Sequence, residues 1–124
     1  MSGSFGAEHW PVEIRLKRED KTLDVSFDDG TTFSYSAEFL RVESPSAEVQ
    51  GHGPSQKKII AGRRHVGIMD VTAVGNYAVK ITFDDLHDTG IYSWQYLYEI
   101  GADYETIWQT YLDALAGRGL SRDP

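Results

Sequence analysis

The chain has 124 residues, no cysteine, 40% hydrophobic residues and a net charge of -7 from 19 acidic and 12 basic side chains. That size holds one domain with one modest core, and it is too short for a Rossmann enzyme, a TIM barrel or a complete dioxygenase. Without cysteine there is no disulfide, thiolate nucleophile or cysteine-ligated zinc or iron–sulfur cluster, and no run nears the roughly 20 apolar residues of a membrane span.

Residues 1–10 are Gly- and Ser-rich and read as a flexible lead-in; Met1 to Gly6 lack the basic start and apolar run of a secretory signal, so the expected location is cytoplasmic. Val12, Ile14 and Leu16 alternate with Glu13, Arg15 and Lys17, which predicts a strand over 12–17. Leu23, Val25 and Phe27 predict a second over 22–27. Asp28-Asp29-Gly30 predicts a hairpin turn into a third strand over 31–35, because the glycine supplies positive φ. Ser36 is an N-cap for a short helix carrying Phe39, Leu40 and Val42, and Pro45 stops it. Residues 44–65 show no periodicity, and loops of that length in compact domains tend to be functional or disordered.

Strands over 66–74 and 77–84 follow, joined at Gly75-Asn76, with Tyr77, Val79, Ile81 and Phe83 as an apolar face. After the polar turn 84–88 comes a short strand at 90–92. Ser93 then caps a helical turn with Trp94, Leu97 and Tyr98. Asp103 opens the last helix, over 103–116, whose stripe is Tyr104, Ile107, Trp108, Tyr111, Leu112 and Leu115, and Gly117 closes it. Strands first and helices last predict an α+β fold: an antiparallel sheet with helices packed on one face in a two-layer sandwich, ending in a C-terminal helix. Residues 11–118 are the single domain and 119–124 a frayed tail. The expected core is Val25, Phe27, Phe33, Ile81, Phe83, Trp94, Ile107 and Leu112.

No standard catalytic signature is present, so no catalytic residue is assigned. Gly51-His52-Gly53-Pro54 resembles the start of a phosphate loop, without its third glycine or a following helix pattern. Among the histidines only His87 sits among carboxylates, in Asp84-Asp85-Leu86-His87-Asp88. His87, Asp85 and His52 are therefore the metal candidates, although a hydrogen-bonded turn is the commoner role for such residues and no cofactor is expected. Lys57, Lys58, Arg63 and Arg64, with His65 beside them, form a local basic patch that suits an acidic protein partner or a phosphorylated ligand. Nucleic acid is not an expected partner, because residues 83–124 carry eight acidic and two basic side chains, and membrane is not expected because no long apolar run is present. The sequence leaves the oligomeric state open.

Four segments in order carry a resemblance: Phe39 to Gly53 (FLRVESPSAEVQGHG), Arg64 to Ile68 (RHVGI), Val74 to Val79 (VGNYAV) and Asp84 to Trp94 (DDLHDTGIYSW). Together they are similar to the DUF971 family, the γ-butyrobetaine hydroxylase-like N-terminal domain, over roughly residues 10–101. The resemblance implies a small α+β domain found alone in bacteria, ahead of the catalytic domain in γ-butyrobetaine and trimethyllysine hydroxylases, and attached to Mrp-type iron–sulfur carrier ATPases. In the hydroxylases it implies a structural zinc held by three cysteines and a later histidine. Those positions fall here on Ser44, Ser46 and Val49, and on His87; Leu86 stands where the family usually has glycine. The iron-binding catalytic domain is not part of this chain. The expected function is thus an accessory protein-interaction module without catalysis of its own; the alternative is a zinc- or iron-binding accessory domain using His87, tied to iron–sulfur carrier or dioxygenase systems.

Overall fold

The computed structural model describes residues 9–51, 57–88 and 90–124. β1 (Pro11–Lys17), β2 (Thr22–Phe27) and β3 (Thr32–Ser36) form one antiparallel meander, and β4 (Ile68–Val74), β5 (Ala78–Phe83) and β6 (Gly90–Ser93) form another. The α+β class stands, and the strands divide between two three-stranded sheets. The reason is local: each sheet is built of consecutive hairpins, and residues 37–67 carry the chain from β3 to β4. That connection holds α1 (Ala37–Val42) and a single turn, α2 (Ala47–Gln50), inside the stretch that sequence periodicity left blank. α3 (Trp94–Ala102) and α4 (Tyr104–Gly117) follow the second sheet.

Period-two alternation explains the inner faces. Leu23, Val25 and Phe27 of β2 and Val79, Ile81 and Phe83 of β5 are buried in one core with Phe39, Leu40, Tyr92, Trp94 and Leu97. The turn before β3 forms as its residues dictate, with Gly30 at φ +87° and the Thr31 amide donating to Asp29 Oδ1 at 2.9 Å. Ser36 and Ser93 cap their helices by accepting from the amides of Phe39 and Tyr96, each at 3.0 Å. Asp103 precedes α4 without a side-chain cap bond.

Of the expected core, Val25, Phe27, Ile81, Phe83 and Trp94 are buried, whereas Phe33, Ile107 and Leu112 are half-buried and pack against it. Phe33 lies on an edge strand. Ile107 and Leu112 are peripheral because α4 builds a second cluster, Val42, Tyr111 and Leu115 with Ile59, Ile60 and Ala61, against α1 and the long connection. Tyr77, assigned by alternation to the apolar face, precedes β5 and is exposed.

Residues 119–124 are not a frayed tail. The Gly62 amide donates to the Ser121 carbonyl at 2.9 Å and the Arg64 amide to that of Arg122 at 3.0 Å. The Arg122 guanidinium grips Glu38 with Nε and Nη2, at 2.8 and 2.7 Å. Composition suggests a loose end, but backbone bonds and a buried carboxylate hold it.

Candidate functional site

α1 and its C-cap Glu43 interleave Glu38, Arg41 and Glu43 with Phe39, Leu40 and Val42, so a helix packed on two sides must bury charge. Residues 37–44 are all buried. Each charge finds its partner on a different segment: Glu38 on Arg122 of the C-terminal residues, Glu43 on Lys57 at 2.6 Å, and Arg41 on Asp85 at 2.8 Å. Asp85 also accepts from Arg63 Nε at 2.8 Å, so one carboxylate oxygen bridges two guanidiniums. Burial alone would raise the Asp85 carboxyl; the His87 amide and the two arginines outweigh it and hold the carboxyl below its ordinary range. Burial pushes Glu43 up, with Lys57 opposing.

Beside this lattice lies a closed hydroxyl–imidazole cluster. Ser44 Oγ is 2.9 Å and Ser46 Oγ 3.4 Å from His87 Nε2, and the two hydroxyls are 3.2 Å apart. Ser44 is fully buried, and Ser46 and His87 nearly so. Burial pushes the imidazole below its ordinary range and the Arg41 cation adds to that, so the ring is neutral at pH 7. Gly90 walls the cluster: a Cβ there would meet Ser44 Oγ at 2.6 Å. A serine beside a neutral imidazole has nucleophile–base chemistry, and here that hydroxyl is fully buried.

The basic patch is largely spent inside the fold. Lys57 is bound to Glu43, Arg63 to Asp85, and Arg64 to Asp123 at 2.5 Å. Of the four patch cations only the exposed Lys58 has no carboxylate partner among the described residues. His65 is exposed, and its carbonyl accepts from Lys21 Nζ at 2.8 Å. His52 lies outside the described residues. Tyr96, off the helical stripe, donates its hydroxyl to the Glu43 carbonyl and is half-buried.

What the connection does build is a cleft of about 240 Å³ between residues 57–59 and α4, floored by Val42, Ile59, Ile107 and Ala114, with Glu43–Lys57 in its wall and Lys58 at its rim. Tyr111 closes the base, donating to the Ile60 carbonyl at 2.6 Å, and burial pushes its phenol up to about 12.

The family profile described as gamma-butyrobetaine hydroxylase-like, N-terminal, matches residues 14–98, more than half of the chain. The chain belongs to this family. It is also similar to a solution NMR structure at 44% identity, covering 95% of this chain and 93% of that one with a TM-score of 0.82. A second solution structure is 43% identical over 100% and 92% of the two chains, again with a TM-score of 0.82. A crystal structure of a DUF971 protein of unknown function from Acidithiobacillus ferrooxidans is 38% identical over 74% of this chain and 92% of that one, with a TM-score of 0.63. No curated protein matches.

The structure tests whether this hydroxylase-like N-terminal domain can carry the zinc its hydroxylase relatives imply. Ser44, Ser46 and His87 do converge. Their donors, however, are two neutral hydroxyls and one imidazole, and Val49, buried at the third cysteine position, has no donor at all. Asp85 is held by two guanidiniums and is not free to ligate. Among the described residues no group of three His, Cys, Asp or Glu is placed to hold a metal. Zinc wants thiolate, imidazole or carboxylate, and these residues do not fit it. Sequence reasoning missed Glu38, Arg41 and Glu43 as the organising charges; the available signal was three charges alternating with apolar residues in one short helix.

Proposed function

We propose that the domain is a protein-interaction module without catalysis of its own, and that it receives its partner in the cleft between residues 57–59 and α4. The observation that carries this is the cleft itself: an apolar floor of Val42, Ile59, Ile107 and Ala114 open beside an exposed lysine with no carboxylate partner among the described residues. A volume of about 240 Å³ suits one or two inserted apolar side chains, and Lys58 favours a carboxylate next to them. The basic patch enters this reading only through Lys58, since its other charges are internally neutralised. An acidic partner with an apolar anchor fits better than a phosphate-rich ligand, which would need several free cations.

The test is in-cell photocrosslinking from position 58, with position 91 on β6 as control, followed by Ile107→Glu. The expected result is a discrete adduct from position 58 that disappears on Ile107→Glu. Identical adducts from both positions, or none from 58, would refute the assignment.

A further inference from the structure

Among the described residues β1 is an edge strand whose outer side carries no partner strand. Its backbone polarity follows from two bonds flanking the first hairpin. The Phe27 amide donates to the Thr31 carbonyl, toward β3, and the Asp28 amide donates to the Trp10 carbonyl, toward β1. Backbone groups alternate along a strand, so Thr22, Asp24 and Ser26 face β1, and their partners Lys17, Arg15 and Glu13 are the residues bonded inward. The amides and carbonyls of Ile14 and Leu16 therefore point out of the sheet. Val12 is 68% and Ile14 36% exposed, an unusual amount of apolar surface for a free edge.

We propose that β1 is a self-recognition edge, through which two copies of the chain pair antiparallel about a two-fold axis at Ile14. In that register Ile14 exchanges backbone bonds with Ile14 of the second copy, and Leu16 lies on the same face as Ile14. Glu13 stands opposite Arg15 of the second copy on the other face, twice by symmetry. Within one chain these two already pair at 2.8 Å, so the dimer closes a ring of four alternating charges.

Neighbouring registers lose this match. Centring on Arg15 opposes Arg15 to itself and turns inward-bonded groups to the partner; centring on Leu16 opposes Arg15 to Lys17. The cleft of about 400 Å³ beside β1, lined by Ile14, Leu16, Val71, Ala73 and Val79 together with Arg18 and Asp70, takes the second copy's apolar side chains on that same face. The register shift between Pro11 and Glu13 limits the pairing to a few residues, so the dimer is weak and concentration-dependent.

Sedimentation equilibrium of the full chain over a wide concentration range tests this. Wild type is expected to show reversible dimerisation. Glu13→Arg and Arg15→Glu each place like charges opposite one another twice, and should weaken it about tenfold or more. Mixed in equal amounts, the two variants regain complementary pairs and should associate as a heterodimer. Ile14→Pro removes one outward amide and should be monomeric, with circular dichroism showing that the fold persists. A wild type that stays monomeric throughout would overturn the proposal. So would association that survives Ile14→Pro, or a mixture of folded charge variants that fails to associate.

Discussion

Arg122→Ala tests whether the C-terminal residues are structural. Glu38 is buried, its side chain 6% exposed, and receives two bonds from an Arg122 side chain that is 30% exposed. Removing one partner of a fully buried pair costs about 3–5 kcal/mol, because the other charge is stranded. Water can reach the vacated side here, which lowers the figure to about 2 kcal/mol. The Arg122 guanidinium also lies 5.2 Å from the Trp108 ring centroid, a contact worth about 0.5–1 kcal/mol more. Urea unfolding should therefore show a loss of about 2–3 kcal/mol at unchanged m-value. Adding Glu38→Gln should recover part of it, since the stranded charge is then gone. A loss below about 0.5 kcal/mol, the level of an ordinary surface substitution, would mean that the tail does not hold α1.

The His87 imidazole has a folded pKa lowered below 6.5, so the unfolded chain binds its proton first and stability rises with pH up to about 6.5. Urea midpoints measured between about pH 5 and 7.5 should climb in wild type and flatten in His87→Gln. Leu86 holds φ +72° with 79% of its surface exposed, so Leu86→Gly relieves left-handed strain of about 1–2 kcal/mol, less the added unfolded-state entropy, and should raise stability by about 0.5–1 kcal/mol in thermal or urea unfolding. Ile107→Ala should cost about 1–2 kcal/mol, below the usual range for a fully buried truncation because the residue is half-buried. Elemental analysis of the purified chain should find no stoichiometric zinc or iron; metal that is present and lost on His87→Ala would contradict the donor chemistry.

The fold's elements were largely legible because they obey local rules. Alternation in β2 and β5, glycine at the Asp29-Gly30 turn, and serine caps at Ser36 and Ser93 each act within a few residues. The partition into two sheets was not, since no local signal says which hairpin pairs with which. Nor was α2, a single turn of four residues, too short to show a helical period. The site divides in the same way. His87 stood out by its acidic neighbours, and motif alignment put Ser44 and Ser46 at positions that the fold then brings to 2.9 and 3.4 Å from it. The pairing of the basic patch was not legible, because sequence shows that four cations are close together but not that carboxylates at positions 43, 85 and 123 meet three of them.

Those carboxylates also give the joint between α1 and the 84–88 turn links that need no metal. A structural zinc site supplies about 10–16 kcal/mol of apparent binding energy, which is folding energy when the site forms only in the folded chain. Hydrogen bonds from two serines to one imidazole, at about 1 kcal/mol each, fall far short of that. Arg41–Asp85 and Glu43–Lys57 tie the same segment to the turn and to the long connection, and Glu38–Arg122 ties it to the C-terminal residues. Several moderate links thus hold this segment, and each sets its own condition. Asp85 must stay ionised and His87 must stay neutral. Acid therefore attacks this joint in two steps, first as the unfolded chain's histidine protonates below about pH 6.5, then as Asp85 protonates below its ordinary carboxyl range near 3.8. A zinc-held joint would fail in one step, with metal release. Urea midpoints measured across both pH windows, followed by tyrosine and tryptophan fluorescence, separate the two designs.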